Sequence, residues 1–536
     1  MEPTDTVTDA EIIEAINEWP VTDGNENMYT SPTSRIHNPA SVSSFFLRNV
    51  GKVKKVAEKP VYDDAEEDLA DVALAKWWRK TGKYLMESDS VPTSSNPNTI
   101  INFITGTDEG LHFIKTEISR LREKISKGCK SANASSALSS YYEKIGNLSL
   151  AKMHLESARD KNPQDKELEW RFKRLKRAVH YRQKQEEILS QLDYSSASVQ
   201  SLPATKQVER VPADSLSFKD FFYKYELTST PVVITGLVDK MTTVPWTLQH
   251  ISDVAGNCSV TLKKCIKDSV QWARLEDATT MKVKDFISSL HSNLSHDQDK
   301  LYLFDWNIPL HCQELAAELK IPKYFAGDFL QRTAQGSLYK DSWPSLFIAP
   351  AGLTSELHVD AFGSNFWMAL FEGSKRWVFF DKDDVAMLYP MFSHPWSTDP
   401  VFQVDLQNPD LKQHPLLSLT QPIECVLQPG ELLFVPAGCP HRVENLETSL
   451  AISGNFVDLS NFHLVKEELT VTSLIDERSA ELLKQFSDPD FKSNMCSDID
   501  HLSWEQFKTW PAEDYEKFDI KPQIVEEGRK TLLNKR

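Results

Sequence analysis

The chain has 536 residues, 26% charged and 40% hydrophobic, an ordinary globular balance with length for more than one domain. A formal net charge of −17 argues against general nucleic-acid binding, which needs clustered lysine and arginine, and favours a basic protein as substrate or partner. The seven cysteines, at 129, 258, 265, 312, 425, 439 and 496, form no Cys-X-X-Cys pair, so neither a disulfide framework nor a zinc ribbon is expected. No apolar run approaches the roughly twenty residues that span a bilayer, and the polar, acidic start from Met1 to Asp5 is unlike a signal peptide. The expected location is intracellular, in the cytoplasm or nucleus, without membrane contact. The basic stretch from Gly51 to Lys59 reads as solvated surface before it reads as a nuclear address.

In chain order, residues 1–68 are rich in Thr, Ser, Asn, Pro and acidic residues without sustained periodicity, the composition of a mostly disordered segment. From 69 to 187 the pattern is helical. Tyr141 to Ala151, followed by Ala158 and Pro163, is similar to a single tetratricopeptide repeat, with Gly146, Ala151 and Ala158 placed for a close helix approach. Stable arrays normally need three or more copies, so a helical hairpin packed on its neighbours and a protein-binding array both remain open. Residues 188–210 read as a linker.

From 211 to 457 the grammar changes to short runs of β-branched and aromatic residues bounded by turn signals. Trp343 to Pro350 and Ser364 to Phe371 read as strands. The second is expected to form a tight hairpin through Glu372, Gly373 and Ser374 with the run from Lys375 to Phe380. Pro422 to Leu427, a turn at Pro429 and Gly430, Glu431 to Pro436 and Ser449 to Val457 repeat the pattern, which predicts an antiparallel barrel or double sheet. Between them, the Pro-rich stretch from Tyr389 to Pro415 has no strand period and is expected to be a loop over a cavity mouth, with His394 and His414 as loop residues. Residues 458–536 carry helical spacing from Asn461 to Phe486 and then Trp504, Phe507 and Trp510.

Within the strand-rich region stands His358-Val359-Asp360, and 83 residues later His441, between Pro440 and Arg442. Residues two apart on an extended strand share a face, so His358 and Asp360 reach one ion while Val359 turns away. A second strand must bring His441. Two imidazoles and a carboxylate on one face of an octahedron leave three positions free, which suits Fe(II) that must also hold small ligands. A His-X-Asp triplet by itself is common, so its surroundings carry the inference. Cys439, two residues before His441, is expected to be a buried free thiol rather than a fourth ligand. No Gly-X-Ser-X-Gly, His-Glu-X-X-His or phosphate-binding glycine loop occurs.

The stretch from about Val211 to Val457 resembles a JmjC domain, the cupin double-stranded β-helix of Fe(II)- and 2-oxoglutarate-dependent oxygenases, and is most similar to the JmjC-only hydroxylases. Pro231 to Gly236, Leu301 to Trp306, Ile321 to Phe325, Glu356 to Asp360, Gly373 to Trp377, Pro429 to Gly438 and Gly454 to Val457 carry the resemblance, in order, over about half the chain. The implied fold is α+β: a JmjC jelly roll preceded by an α-helical, TPR-like region and followed by C-terminal helices. The implied metal ligands, and so the catalytic centre, are His358, Asp360 and His441.

The resemblance further implies that Lys375 binds the distal carboxylate of 2-oxoglutarate, for which a buried cation is the natural partner. Alternation puts Arg376 on the opposite face, as solvated surface. Matching positions implicate Tyr302, Ser355, Ser453 and Asn455 as further cosubstrate contacts. Where some relatives carry a polar residue ten positions after the first histidine, this chain has Met368, whose thioether donates no hydrogen bond, which puts fine specificity in doubt. The implied reaction consumes dioxygen and 2-oxoglutarate, releases succinate and carbon dioxide, and hydroxylates a side chain of a protein substrate. Relatives also use C-terminal helices for packing or homodimer formation. Histone lysine demethylation uses the same oxidant but normally accompanies Cys-rich chromatin modules, which are missing here. An inactive scaffold, recruiting partners through the helical region, is the non-enzyme alternative.

Overall fold

The structure is a computed structural model that describes residues 67–80, 97–192 and 202–491, apart from 268, 291–299, 326, 334–338, 340–341, 393–398 and 490, together with 508–509. All but the last two residues of the expected disordered segment over 1–68, and His394, Cys496, Trp504, Phe507 and Trp510, lie outside the described residues.

Among the described residues six helices come first: α1 (Ala70–Lys80), α2 (Pro97–Thr105), α3 (Asp108–Ser126), α4 (Ala132–Lys144), α5 (Leu148–Lys161) and α6 (Lys166–Gln191). Four open on a residue whose side-chain oxygen accepts a first-turn backbone N–H: Thr107, Ser131, Asn147 and Asp165. Their apolar faces meet in one core around Leu74, Ile114, Leu138, Tyr141, Leu155 and Leu175. Ala151 and Ala158 are fully buried in it, as small residues at a helix crossing must be. Gly146, grouped with them from the sequence, is exposed instead and has φ +74°; its task is the turn between α4 and α5. The stretch read as a linker begins with the last turn of α6 and ends in paired strands, because Lys206 and Gln207 already lie on a sheet edge.

Two sheets then face each other. The larger runs β2 (Glu209–Pro212), β3 (Val232–Thr235), β15 (Glu431–Val435), β10 (Asn365–Glu372), β17 (Ser449–Phe456), β8 (Ser345–Ala349) and β6 (Leu303–Asn307). The smaller runs β1 (Lys206–Gln207), β14 (Ile423–Leu427), β11 (Lys375–Phe379), β16 (His441–Asn445) and β9 (Thr354–His358). This is the jelly roll of a double-stranded β-helix, flanked by helices on both sides in sequence. A hairpin of β4 (Ser259–Cys265) and β5 (Leu275–Lys282) joins it through a bridge between Lys263 and Tyr302. Lys320–Ile321 (β7) pairs with Lys508–Thr509 (β18).

One expectation is corrected by the topology. β10 and β11 do not form a hairpin: β10 pairs with β15 and β17, whereas β11 pairs with β14 and β16, so the turn at Gly373 carries the chain from one sheet to the other. Gly373 has φ +78°, and a Cβ there would lie 2.2 Å from the Thr448 carbonyl oxygen, so only glycine makes this corner. β14 and β15 switch sheets in the same way across Gly430. Local alternation shows a strand but not which sheet it joins.

The Pro-rich insertion also differs from expectation. Its described part does not line the cavity. Pro390–Met391 (β12) and Val401–Phe402 (β13) pair, and Tyr389, Phe402, Val404, Leu416 and Leu417 bury a separate core with Leu357 on the outer side of the small sheet. Tyr181, Ile188 and Leu189 of α6 pack against that core, so the aromatic and proline content of the insertion serves a helix-to-barrel interface. Gln185 donates to the Ala386 carbonyl at 2.8 Å, and the Tyr181 and Phe392 rings stack with centres 5.8 Å apart. His414 sits edge-on to Tyr389 with ring centres 4.7 Å apart. After the barrel, α7 (Phe462–Thr472) and α8 (Glu477–Ser487) turn Val465, Leu469, Leu482 and Phe486 into the core behind the large sheet. Glu468 ties α7 to Arg177 of α6 at 2.8 Å.

Candidate metal and cosubstrate site

Three side chains converge at one end of the barrel. Ligand atoms of His358, Asp360 and His441 all lie within 4.8 Å of one another, and His441 Nε2 is 4.0 Å from the Asp360 carboxylate. His358 is the last residue of β9 and His441 the first of β16, and the two are register partners, which brings the imidazoles face to edge with centres 4.2 Å apart. Asp360 lies just beyond the end of β9, not on the strand, but its extended backbone (φ −66°, ψ 149°) keeps the period of two. Val359, between them, turns to the outer core. Cys439 is buried and its thiol faces the Phe380 carbonyl at 3.2 Å, in agreement with a packing role.

Each histidine has its Nδ1 on a backbone carbonyl two residues earlier: His358 on Glu356, and His441 on Cys439 at 3.0 Å. Those contacts place the proton on Nδ1 and leave Nε2 free to ligate. Burial disfavours charge on all three groups. It holds His358 well below its ordinary value, with His441 adding to the effect, lowers His441 to about 4, and lifts Asp360 to about 7. Neutral imidazoles are the ligating form, and a carboxylate that burial would otherwise protonate regains its charge beside a divalent cation.

The inner face of the small sheet presents three successive rows. The first holds Phe379, His441 and His358; the second Trp377, Val443 and Ser355; the third Lys375 and Asn445. Ser355 and His358 are three residues apart, so strict alternation would put them on opposite faces. The register shift between His441 and Val443 is a β-bulge that adds a residue to β9 and turns both inward. Lys375 is fully buried, donates to the Asn445 side-chain oxygen and lies 5.7 Å from the Tyr302 ring centre. Desolvation lowers its ammonium to about 7. Arg376 points outward to Glu424 at 2.8 Å, as alternation requires.

One cavity is lined by His358, Asp360, His441, Tyr302, Ser355 and Asn455, with Met368 and Trp377 among its other walls. Asn455 donates to Ser364 at 2.7 Å. Lys375, beside the Tyr302 ring of the cavity wall, is fully buried, and so is Ser453 of β17, which pairs with Met368 of β10 behind the cavity. The Ser453 hydroxyl and the indole N–H groups of Trp343 and Trp377 are buried without a partner among the described residues.

Sequence reading missed the aromatic wall. Trp272 packs edge-on to His358 with ring centres 4.2 Å apart, and its N–H donates to the Val359 carbonyl at 2.8 Å. The following Ala273 and Arg274 have φ 51° and 55°, and Asp305 and Phe362, also beside the cavity, have φ 55° and 45°. Left-handed backbone in non-glycine residues is strained and collects at functional sites. No spacing rule flags such residues, because the strain is imposed by packing from distant strands.

The residues fit a metal and an anionic cosubstrate: a mixed imidazole and carboxylate donor set, a buried cation two rows away, and orphaned donors beside them. Such a site at the end of a jelly roll is suited to a divalent metal ion and a small anionic ligand. Residues 218–461, just under half of the chain, match the cupin-like domain family, in keeping with the barrel. The chain is 28% identical over 271 residues to the bifunctional arginine demethylase and lysyl-hydroxylase psr-1 of Caenorhabditis elegans, covering 49% of this chain and 64% of that protein. It is 29% identical over 204 residues to the 2-oxoglutarate and iron-dependent oxygenase JMJD4 of Mus musculus, covering 35% and 46%. It is 26% identical over 304 residues to the lysine-specific demethylase JMJ21 of Arabidopsis thaliana, covering 53% and 30%. The chain thus spans between 30% and 64% of the length of these relatives. Among the described residues no helix is long and apolar enough to cross a membrane.

Proposed function

We propose that this protein is an Fe(II)- and 2-oxoglutarate-dependent dioxygenase that hydroxylates a side chain of another protein, with succinate and carbon dioxide as coproducts. The convergence of His358, Asp360 and His441, two rows from a fully buried lysine, carries this reading. When bound, Fe(II) supplies the activation of dioxygen and the oxidation of 2-oxoglutarate.

The chain's own residues supply the rest. His358, Asp360 and His441 hold the metal on one face and leave the other to small ligands. Lys375 receives the distal carboxylate of the cosubstrate, with Asn445 orienting its ammonium. Tyr302, Ser355 and Asn455, which line the cavity, are the remaining cosubstrate contacts, and Tyr302 and Ser355 are buried enough that their hydrogen bonds form away from bulk water. Trp272, Phe304, Phe347 and Phe366 wall the cavity and exclude water, while Asp305 adds a carboxylate to an aromatic surface. Aromatic faces beside a carboxylate suit a cationic side chain, and psr-1 is named for arginine and lysine chemistry, so a lysine or arginine of a basic protein is the substrate we infer.

The test is succinate release by the purified, iron-loaded protein with basic peptides. A stable gain of one oxygen on the peptide supports hydroxylation. Formaldehyde release with loss of a methyl group would replace that outcome with demethylation, the reading favoured by the names of several relatives. No 2-oxoglutarate turnover with any peptide or captured protein would leave a scaffold.

A further inference from the structure

The three inward rows of the small sheet leave one chemical group without a task. A molecule that meets the metal at the row of His441 and His358 and also reaches Lys375 must cross the middle row, between them. That row holds Ser355, Val443 and Trp377. Trp377 is 1% exposed, stacks on Phe379 with ring centres 5.7 Å apart, and lies 5.4 Å from the His441 ring. Its indole Nε1 is buried and has no hydrogen-bond partner among the described residues. Indole is a donor only, and an unmet buried donor opposes folding, so such a group is retained where a ligand satisfies it.

We propose that the Trp377 indole N–H donates a hydrogen bond to the dicarboxylate cosubstrate, making Trp377 a binding residue alongside Lys375. The inference rests on the reading of the site as a 2-oxoglutarate site. It explains why a ring with a polar edge, rather than a fully apolar one, occupies the row between metal and lysine. A phenylalanine there would keep the stacking on Phe379 and lose only the donor.

Calorimetric titration of 2-oxoglutarate into the full-length protein loaded with Mn(II), without dioxygen, tests it. Trp377→Phe is expected to weaken 2-oxoglutarate binding about tenfold while Mn(II) affinity, measured separately by electron paramagnetic resonance, stays within about twofold. Equal 2-oxoglutarate affinity in wild type and variant overturns the assignment and leaves the site reading intact. No 2-oxoglutarate binding by the wild type overturns both. Should the variant fail to fold, 15N spectra of the Zn(II)-loaded wild type decide. With Trp272→Phe and Trp343→Phe used to assign the other cavity indoles, the Trp377 N–H resonance must move downfield on adding 2-oxoglutarate, and an unmoved resonance overturns the proposal.

Discussion

Several buried polar side chains of the helical region are paired within the protein, whereas several around the barrel cavity are not. In the helices, Arg171 donates to Ser136 at 2.6 Å, Arg174 pairs with Glu143 at 2.6 Å and reaches the Phe392 carbonyl, and Ser139 donates to the Ala151 carbonyl at 2.7 Å. Around the cavity, Ser453 and the indoles of Trp343 and Trp377 have no partner among the described residues, and Lys375 has no carboxylate among them beside it. Pairing inside the protein makes a buried polar group part of the fold. Leaving it unpaired holds it for something that arrives later.

That contrast is broken or sharpened by exchange of effects between the two regions. The largest expected effect is at the metal: His358→Ala or Asp360→Ala should lower Fe(II)-supported succinate release by more than about a hundredfold, with melting temperature nearly unchanged. A large fall in melting temperature would mean that the triad serves the fold. Next, Lys375→Met should weaken 2-oxoglutarate binding by between about tenfold and a hundredfold without loss of stability. Asn445 keeps the Ser449 hydroxyl at 2.8 Å when the lysine goes, so no new orphan is created there.

Arg174→Ala should do the reverse. It leaves the Glu143 carboxylate and the Phe392 carbonyl unmatched and should cost about 2 kcal/mol in denaturant unfolding, with 2-oxoglutarate affinity preserved. Lost affinity in that folded variant would show that α6 governs the site.

A pH titration follows. Burial sets Lys375 to about 7 in the empty site, whereas a bound carboxylate restores its charge. Affinity for 2-oxoglutarate should therefore decline as pH rises above about 7, approaching about tenfold per unit, with proton uptake on binding. A flat profile from pH 7 to 9 would remove the lysine from the binding step. The smallest effect is Arg376→Ala, which breaks an exposed pair with Glu424 and should change stability by less than about 1 kcal/mol.

Much of the site was legible because strand alternation is a local property. His358 with Asp360, and Lys375 against Arg376, follow from a period of two, and both hold in the structure although Asp360 has already left its strand. Resemblance added Tyr302, Ser355 and Asn455 around the same cavity, while Ser453 lies behind it. The inward turn of Ser355 could not be read, because a bulge against β16 reverses its phase. Nor could the sheet switch at Gly373, or the packing of the insertion's described part on α6.

The amino-acid order by itself determined the chemistry available here: two imidazoles, a carboxylate and a lysine on strands whose alternation turns each toward one side. Tertiary structure alone decided which strands became neighbours, and so which groups found partners and which, like the Trp377 N–H, did not. The physical reason is range: alternation acts over two residues along the chain, whereas register, bulges and unmet donors arise from pairing between segments as distant as β9 and β16.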